Sequence, residues 1–396
     1  MLKLDIDYYN EEHKQLLANA PFHDALEEAI KNGMEISEEE VEVYTVFREQ
    51  KQKPGWKSYA DLKAKLPPRL AAFSDYFDLS KGTIRSKFEA GPDCDNTQTE
   101  SAGVGVALAV VSKLYDLTEA DWQKIPKQNI KDLDFEVASD GKEMVEVEAK
   151  GTVLNGKDIK RRISKCKKSI EEKKKAQRKT QDNRNRLIGI ITSFPSTEEQ
   201  LAKVRILDPP MLEAPENPLK YKLLARLYFY WREIRLISES RFLQALINRI
   251  GDISFVSDYE SLNDRPLLNL SGRKVQIPIS YTLARTILPG EIAFGEVFPL
   301  RSDTFFFYGF DMKIVSLLIN QRFDEILNFK SNLPDTIQEI STLTARVREE
   351  ELEGSQVQPS DFPKAPDKTR VEIPMSGRLS ANSAGRVFGE LTIAKS

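Results

Sequence analysis

The sequence predicts a mixed α/β protein, and three observations carry that expectation. A helix that is apolar nearly all round runs through SAGVGVALAVVSKLYDL, starting at residue 101. Two short strands of strict polar–apolar alternation follow, LDFEVA at 133–138 and EMVEVEAK at 143–150. A long basic helix, roughly 157–180, then leads into an apolar run from Arg186 to Thr192 that reads as a buried strand. Period-two alternation marks half-buried strands, and an apolar surface on every side marks a buried helix.

A chain of 396 residues holds two or three domains. Composition divides it into an N-terminal helical region at 1–90, an α/β core at 91–205, a C-terminal α+β region at 206–353 and a flexible tail at 354–396. Hydrophobic residues make up 40 % of the chain, enough for cores, and no apolar run approaches the roughly 18 residues of a membrane span. The start, MLKLDIDYYNEEHK, has neither the basic nor the apolar section of a signal peptide. Cys94 and Cys166 are the only cysteines and lie far apart, which argues against a disulfide framework and fits a reducing cytoplasm.

Within the first region, helix-spaced apolar residues run from Glu11 to Asn32. Ser37 reads as the N-cap of a helix continuing to Gln52, and a short helix opening at Ser58 is expected to end at Pro67-Pro68. Thr97 or Thr99 can cap the apolar helix. Gly103-Val104-Gly105 lacks the third glycine and the preceding strand of a dinucleotide site, so it reads as close helix packing. Beyond the prolines at 209–218, a long aromatic-rich helix is expected over about 219–250. Strands are expected within 253–310, a helix over about 312–329, and a charged helix over about 335–352. Thr304 to Tyr308 and the aromatic run Tyr228 to Trp231 read as packing residues rather than base-stacking ones. The last 25 residues read either as a returning strand or as part of the tail.

Histidine scarcity excludes much chemistry. His13 and His23 are the only two, so Ser-His-Asp and Cys-His catalysis lack a base elsewhere in the chain. No P-loop occurs. Catalysis would rest on carboxylates, lysine, hydroxyls or an oxygen-ligated metal. Net charge is −3, but Lys157 to Arg186 holds 14 Lys/Arg against 4 Asp/Glu, a local +10 that leaves −13 for the remainder. Such asymmetry is one footprint of a polyanion-binding face, and equally of a solvated helix.

Asp134 and Glu136 share one face of the first strand; Glu146, Glu148 and Lys150 share one face of the second. A three-residue loop, Ser139-Asp140-Gly141 with glycine left-handed, would pair Ala138 with Lys142 and set Asp134 opposite Glu146, diagonal to Glu148. A two-residue loop would break this parity. Two carboxylates about 5 Å apart repel by roughly 3 kcal/mol at an effective dielectric near 20. A hard divalent cation removes that repulsion, and a lysine two residues along the strand reaches the same place.

An acidic residue on one strand followed by (D/E)-x-K on the next, here Asp134 and then Glu148-Ala149-Lys150, resembles the PD-(D/E)XK nuclease superfamily. About nine [DE]-x-[KR] triplets are expected from composition alone, so the ordered context carries the likeness. Helix, strands, helix and strand follow the family's order over about 100 residues, and Glu100 stands where many members carry a helix glutamate. The proline usually preceding the first acid is Leu133, which leaves Asp132 and Asp134 hard to separate.

The resemblance implies a restriction-endonuclease-like core that hydrolyses phosphodiester bonds, most naturally in double-stranded DNA, as in restriction or anti-phage defence. Asp134, Glu148 and Glu100 would hold Mg²⁺ or Mn²⁺, and Lys150 would polarise the attacking water. Lys160, Arg161, Arg162, Lys165 and Lys168 would hold the phosphate backbone. The C-terminal region would serve target recognition, homodimerisation or a partner protein. Two other readings stay open: a non-catalytic nucleic-acid binder on the same fold, and a structural protein whose basic helix meets an acidic partner. On these readings Glu146 and Glu148 form the solvent face of an edge strand, Glu100 answers a helix dipole, and Lys150 is a surface lysine.

Overall fold

Leu2, Leu4, Ile6 and Tyr8 are buried while Lys3, Asp5 and Asp7 face outward, the period-two pattern of a strand with one covered face. This strand, β1 (Leu2–Tyr8), is followed in chain order by α1 (Glu11–Leu17), α2 (His23–Asn32), β2 (Met34–Ile36), α3 (Glu38–Val43), α4 (Tyr59–Tyr76), β3 (Phe77–Asp78) and β4 (Arg85–Ser86). Next come α5 (Asn96–Tyr115), β5 (Val137–Ser139), β6 (Met144–Val153), α6 (Ile159–Gln177), β7 (Asn185–Phe194), β8 (Ala202–Leu207) and α7 (Pro218–Ile234). The computed structural model describes residues 1–48, 58–89, 96–123, 137–154, 158–177, 185–207, 217–237, 241–268, 272, 281–284, 291–301, 303–334, 336–337, 342–345, 371–373 and 375–394. The chain divides into two units, residues 1–55 with 64–225 and residues 56–63 with 226–396. It is mixed α/β, and among the described residues no helix is long and apolar enough to cross a membrane.

The first unit is built on a six-stranded mixed sheet in the order β2-β1-β8-β7-β6-β5. β6 and β7 run parallel, joined through α6, whereas β5–β6 and β7–β8 are antiparallel. Residues 1–90 are therefore not purely helical, as expected from sequence: β1 and β2 extend the same sheet that holds β6. The alternation of residues 2–8 gave the signal, and β8 supplies the backbone partner. Laterally paired residues share a face. One face carries the rows Glu148–Gly189–Leu207 and Lys150–Ile191–Arg205–Asp7. Helix α6 covers part of this face, burying Ile163 and Ile170 against Ile191 and Leu207.

The opposite face meets α5, whose residues from Ser101 to Ser112 are all buried. Gly103 and Gly105 lie about 200° apart around the helix, and each permits a close approach. A Cβ on Gly103 would come within 2.5 Å of the Gly151 Cα in β6, and one on Gly105 would strike the Thr45 hydroxyl that follows α3. The helix is wedged between sheet and α3, which is why it is apolar all round. Tyr44 and Trp122 anchor it further, each hydrogen-bonding the Ser112 hydroxyl, at 2.7 Å and 3.0 Å. The expected cap at Ser37 is present, its hydroxyl accepting from the Glu40 amide.

Several expectations are corrected. Pro67 and Pro68 lie inside α4 rather than ending it; the two proline nitrogens forgo helical hydrogen bonds, yet residues on both sides keep helical geometry. Thr97 and Thr99 lie within α5, which begins at Asn96. The β5–β6 hairpin pairs Ser139 with Met144 and Val137 with Glu146, so its connection is four residues long, not three. Gly141 is left-handed as expected (φ 97°), but the Asp140 carboxylate accepts from both the Lys142 and Glu143 amides, at 2.7 Å and 2.8 Å, and lengthens the turn.

In the second unit α8 (Arg241–Phe255) is separate from α7, not the continuation of one long helix. Then follow β9 (Tyr281–Ala284), β10 (Glu291–Pro299), β11 (Thr304–Asp311), α9 (Met312–Asn320), α10 (Phe323–Leu327), β12 (Thr336–Ile337), β13 (Thr342–Ala345), β14 (Val371–Ile373), β15 (Met375–Ala381) and β16 (Arg386–Ile393). The strands form an antiparallel eight-stranded sheet, β12-β15-β16-β11-β10-β9-β13-β14. Two segments differ from expectation: β12 and β13 lie where a charged helix was read, and β15 and β16 are strands of the sheet rather than part of a flexible tail. Val387 and Leu391 are buried, and alternation at 386–393 is interrupted by Gly389, which obscures its period. Phe305 to Phe310 are buried, as a packing role requires. A buried network ties this core: Tyr308 and Arg386 both donate to Glu233 Oε2, at 2.8 Å and 3.1 Å.

The α5–β6 crossing generates a stability prediction. A Cβ at Gly151 would lie 1.9 Å from the Thr99 carbonyl oxygen, a backbone atom that cannot step aside alone. Gly151→Ala is expected to lower the stability of this unit by about 1–3 kcal/mol, as overpacking does. Gly251→Ala, in α8 with nothing near its Cβ, is expected to be neutral or to stabilise by up to about 1 kcal/mol. Urea unfolding of both variants measures the contrast; equal effects would refute the tight crossing.

Candidate functional site

Glu148 stands in the middle of β6 with no exposure to solvent, and Glu146 is 3 % exposed. Neither occupies the solvent face of an edge strand. Lys150, two residues on and therefore on the same face, holds its Nζ 3.1 Å from Glu148 Oε1. Lys173, from α6, donates to the same oxygen at 2.8 Å. Each ammonium–carboxylate contact gains about 5 kcal/mol at an effective dielectric near 20, while the two ammoniums, about 6 Å apart at most, repel by roughly 3 kcal/mol. The attractions win, and they offset the cost of a buried charge.

The helix reaches this carboxylate because β7 presents Gly189 beside Glu148. A side chain at Gly189 would meet Ile170 Cγ2 at 2.7 Å and the Lys174 Nζ at 3.1 Å. Lys174 is itself buried and donates to the Leu207 carbonyl at 3.1 Å. Two successive α6 lysines thus turn inward, below the apolar stripe of Ile163, Cys166 and Ile170.

On the other side of β6, the contact between Thr99 and Gly151 sets the first turns of α5 against the strand just past Lys150. Glu100 is the next residue of that helix, half-exposed. Its field and that of Lys150 meet at one atom, the Cys166 sulfur. Burial pushes that thiol above its ordinary range; Lys150 draws it down and Glu100 raises it. Glu148, Lys150, Glu100 and Cys166 therefore share one electrostatic neighbourhood. Asp134 and Asp132 lie outside the described residues. The register at 137–139 is not the one used to set Asp134 opposite Glu146, so the described ladder does not carry that pairing.

Of the basic-helix residues, Lys160, Arg161, Lys165 and Lys168 are exposed and Arg162 is half-buried. Arg161, Lys165 and Lys168 follow helical spacing and form one stripe. Lys168 approaches Glu172 at 3.9 Å, an exposed pair that contributes little. Lys167 turns away, pairing with Glu171 at 3.2 Å and lying over the Tyr9 ring.

The sequence reading missed Lys173, Lys174 and Gly189. The signal was present: Ile163, Cys166 and Ile170 define the inward stripe, and the next turn of that stripe is Lys173-Lys174. Charge in a stripe position implies a buried partner.

Among the described residues, no group of three or more His, Cys, Asp or Glu side chains is placed to hold a metal ion. Glu148 and Glu100 supply hard oxygen donors of the type Mg²⁺ and Mn²⁺ take, and the third expected donor, Asp134, lies outside those residues. No family model, curated protein or solved structure matches this chain.

The shared field gives a measurable consequence. In a Cys94→Ser background, Cys166 is expected to alkylate slowly at neutral pH, because its raised pKa leaves little thiolate. Glu100→Gln should lower that pKa and speed the reaction, and Lys150→Met should slow it. Rates measured against pH check both signs; no response to either substitution would separate these residues from Cys166.

Proposed function

We propose that this chain is a metal-dependent nuclease of the PD-(D/E)XK type that hydrolyses phosphodiester bonds in double-stranded DNA. The observation that carries the reading is the buried Glu148-x-Lys150 pair on β6, with the glutamate-bearing turn of α5 packed beside it and the basic helix α6 as the crossover to parallel β7. This order of helix, strands, helix and strand is that of a restriction-endonuclease-like core.

Glu148 and Glu100, with Asp134, would hold Mg²⁺ or Mn²⁺, which when bound supplies an activated water and charge neutralisation at the phosphate. Lys150 keeps its charge beside a carboxylate and acts as a fixed cation toward the attacked phosphate rather than as a base. Lys160, Arg161, Lys165 and Lys168 present an exposed stripe to the phosphate backbone, with Arg162 at its margin. A second reading has a specific observation in its favour. Two ammonium groups already balance Glu148, so the same surface can serve a nucleic-acid-binding module without catalysis.

Incubation with plasmid DNA and Mg²⁺, Mn²⁺ or EDTA separates the two. Metal-dependent cleavage is expected, with Lys150→Ala retaining DNA binding but losing about 100- to 1000-fold in rate. Replacing Lys160, Arg161, Lys165 and Lys168 by Gln should flatten the salt dependence of binding. Binding without cleavage products would establish the second reading, and full cleavage by a folded Lys150→Ala protein would remove the assignment.

A further inference from the structure

Lys173 is not needed to explain the (D/E)-x-K pattern, yet it makes the shorter of the two lysine contacts to Glu148, 2.8 Å against 3.1 Å. It comes from a different element, α6, and reaches a carboxylate with no access to water. Both ammoniums meet the same oxygen, Oε1. A carboxylate so placed needs compensating charge at all times, because an unmatched buried charge is costly. A divalent cation on Glu148 would bring two positive charges beside two ammoniums already there. The three cations cannot all keep their places around one carboxylate.

Of the two lysines, Lys150 is bound by its position on β6, two residues from Glu148 on the same face. Lys173 reaches in from the helix, and its side chain retains 16 % exposure, a way out to water. We propose that Lys173 is a positioning residue that stands in for the divalent cation at Glu148, keeping the carboxylate charged and in place, and withdraws when the cation binds. The inference rests on the nuclease reading. Its consequence is that metal affinity is set low by an internal competitor, so that a metal bound without substrate is held weakly.

The test is a Mn²⁺ titration of the full chain, followed by calorimetry or by electron paramagnetic resonance of free Mn²⁺. Wild type, Lys173→Met, Lys173→Arg and Glu148→Gln are compared, each verified by its melting curve. Lys173→Met is expected to bind Mn²⁺ about tenfold more tightly than wild type, a gain of about 1.4 kcal/mol. Lys173→Arg, which keeps the competing charge, should stay near wild type, and Glu148→Gln should lose the site. A role in packing alone would leave the affinity of a folded Lys173→Met protein unchanged or weaker, and that result overturns the proposal while the Glu148 site stands. Should Lys173→Met fail to fold, tighter Mn²⁺ binding by Lys173→Gln supports the proposal and unchanged or weaker binding refutes it. Absence of Mn²⁺ binding in wild type and all Lys173 variants would overturn both this inference and the nuclease reading.

Discussion

The backbone-to-backbone contact between α5 and β6, at Gly103 and Gly151, is the constraint on which the first unit depends. With no Cβ on either residue, the helix descends until the Thr99 carbonyl occupies the space a Gly151 side chain would fill. That depth buries α5 from Ser101 to Ser112 and brings Glu100 beside the strand carrying Glu148 and Lys150. Gly189 plays the matching part on the other face, leaving room for Ile170 and Lys174 of α6. The central strand pair is thus approached closely from both sides, and charged residues on it lose access to water. Once Glu148 is buried, cations have to meet it, and Lys150 and Lys173 do so.

Much of this unit was legible in the sequence. Helix α5, strands β6 and β7 and the basic helix α6 fall within a few residues of where periodicity placed them. Their apolar patterns are long and their partners close in sequence. Close packing at Gly103 and Gly105 was read correctly for the same reason. The hairpin register was not legible, because it turns on the Asp140 carboxylate capturing two following amides, a choice that alternation does not encode. Nor was Lys173, whose role depends on the helix sitting low over Gly189, a tertiary fact. Strand β1 was overlooked although its alternation is clean, since its parallel partner β8 lies nearly 200 residues away.

The second unit shows the same division. The aromatic residues of α7 and β11 read as packing, and Phe229, Tyr230 and Phe305 to Phe310 are buried. Arg386, at 0 % exposure, was silent in the sequence. It lies amid the rings of Phe229, Tyr308 and Phe310 and donates to Glu233, so that a charged residue becomes part of an aromatic core. The hydrogen bond from Tyr230 to the Ala384 carbonyl, 2.9 Å, ties α7 to the segment just before β16. Residues expected to form a flexible tail are strands because these long-range partners hold them, and no local pattern announces such partners.

The account's central claim is that Glu148 is both the buried hub of two lysines and the carboxylate that receives a divalent cation. The most direct test is a crystal structure of the full chain with and without Mn²⁺, the metal located by its anomalous scattering. The account predicts Mn²⁺ bound to the Glu148 carboxylate, with Lys173 drawn away from Oε1 and Lys150 still beside it. An anomalous peak elsewhere, with both lysines unmoved on Glu148, would contradict it.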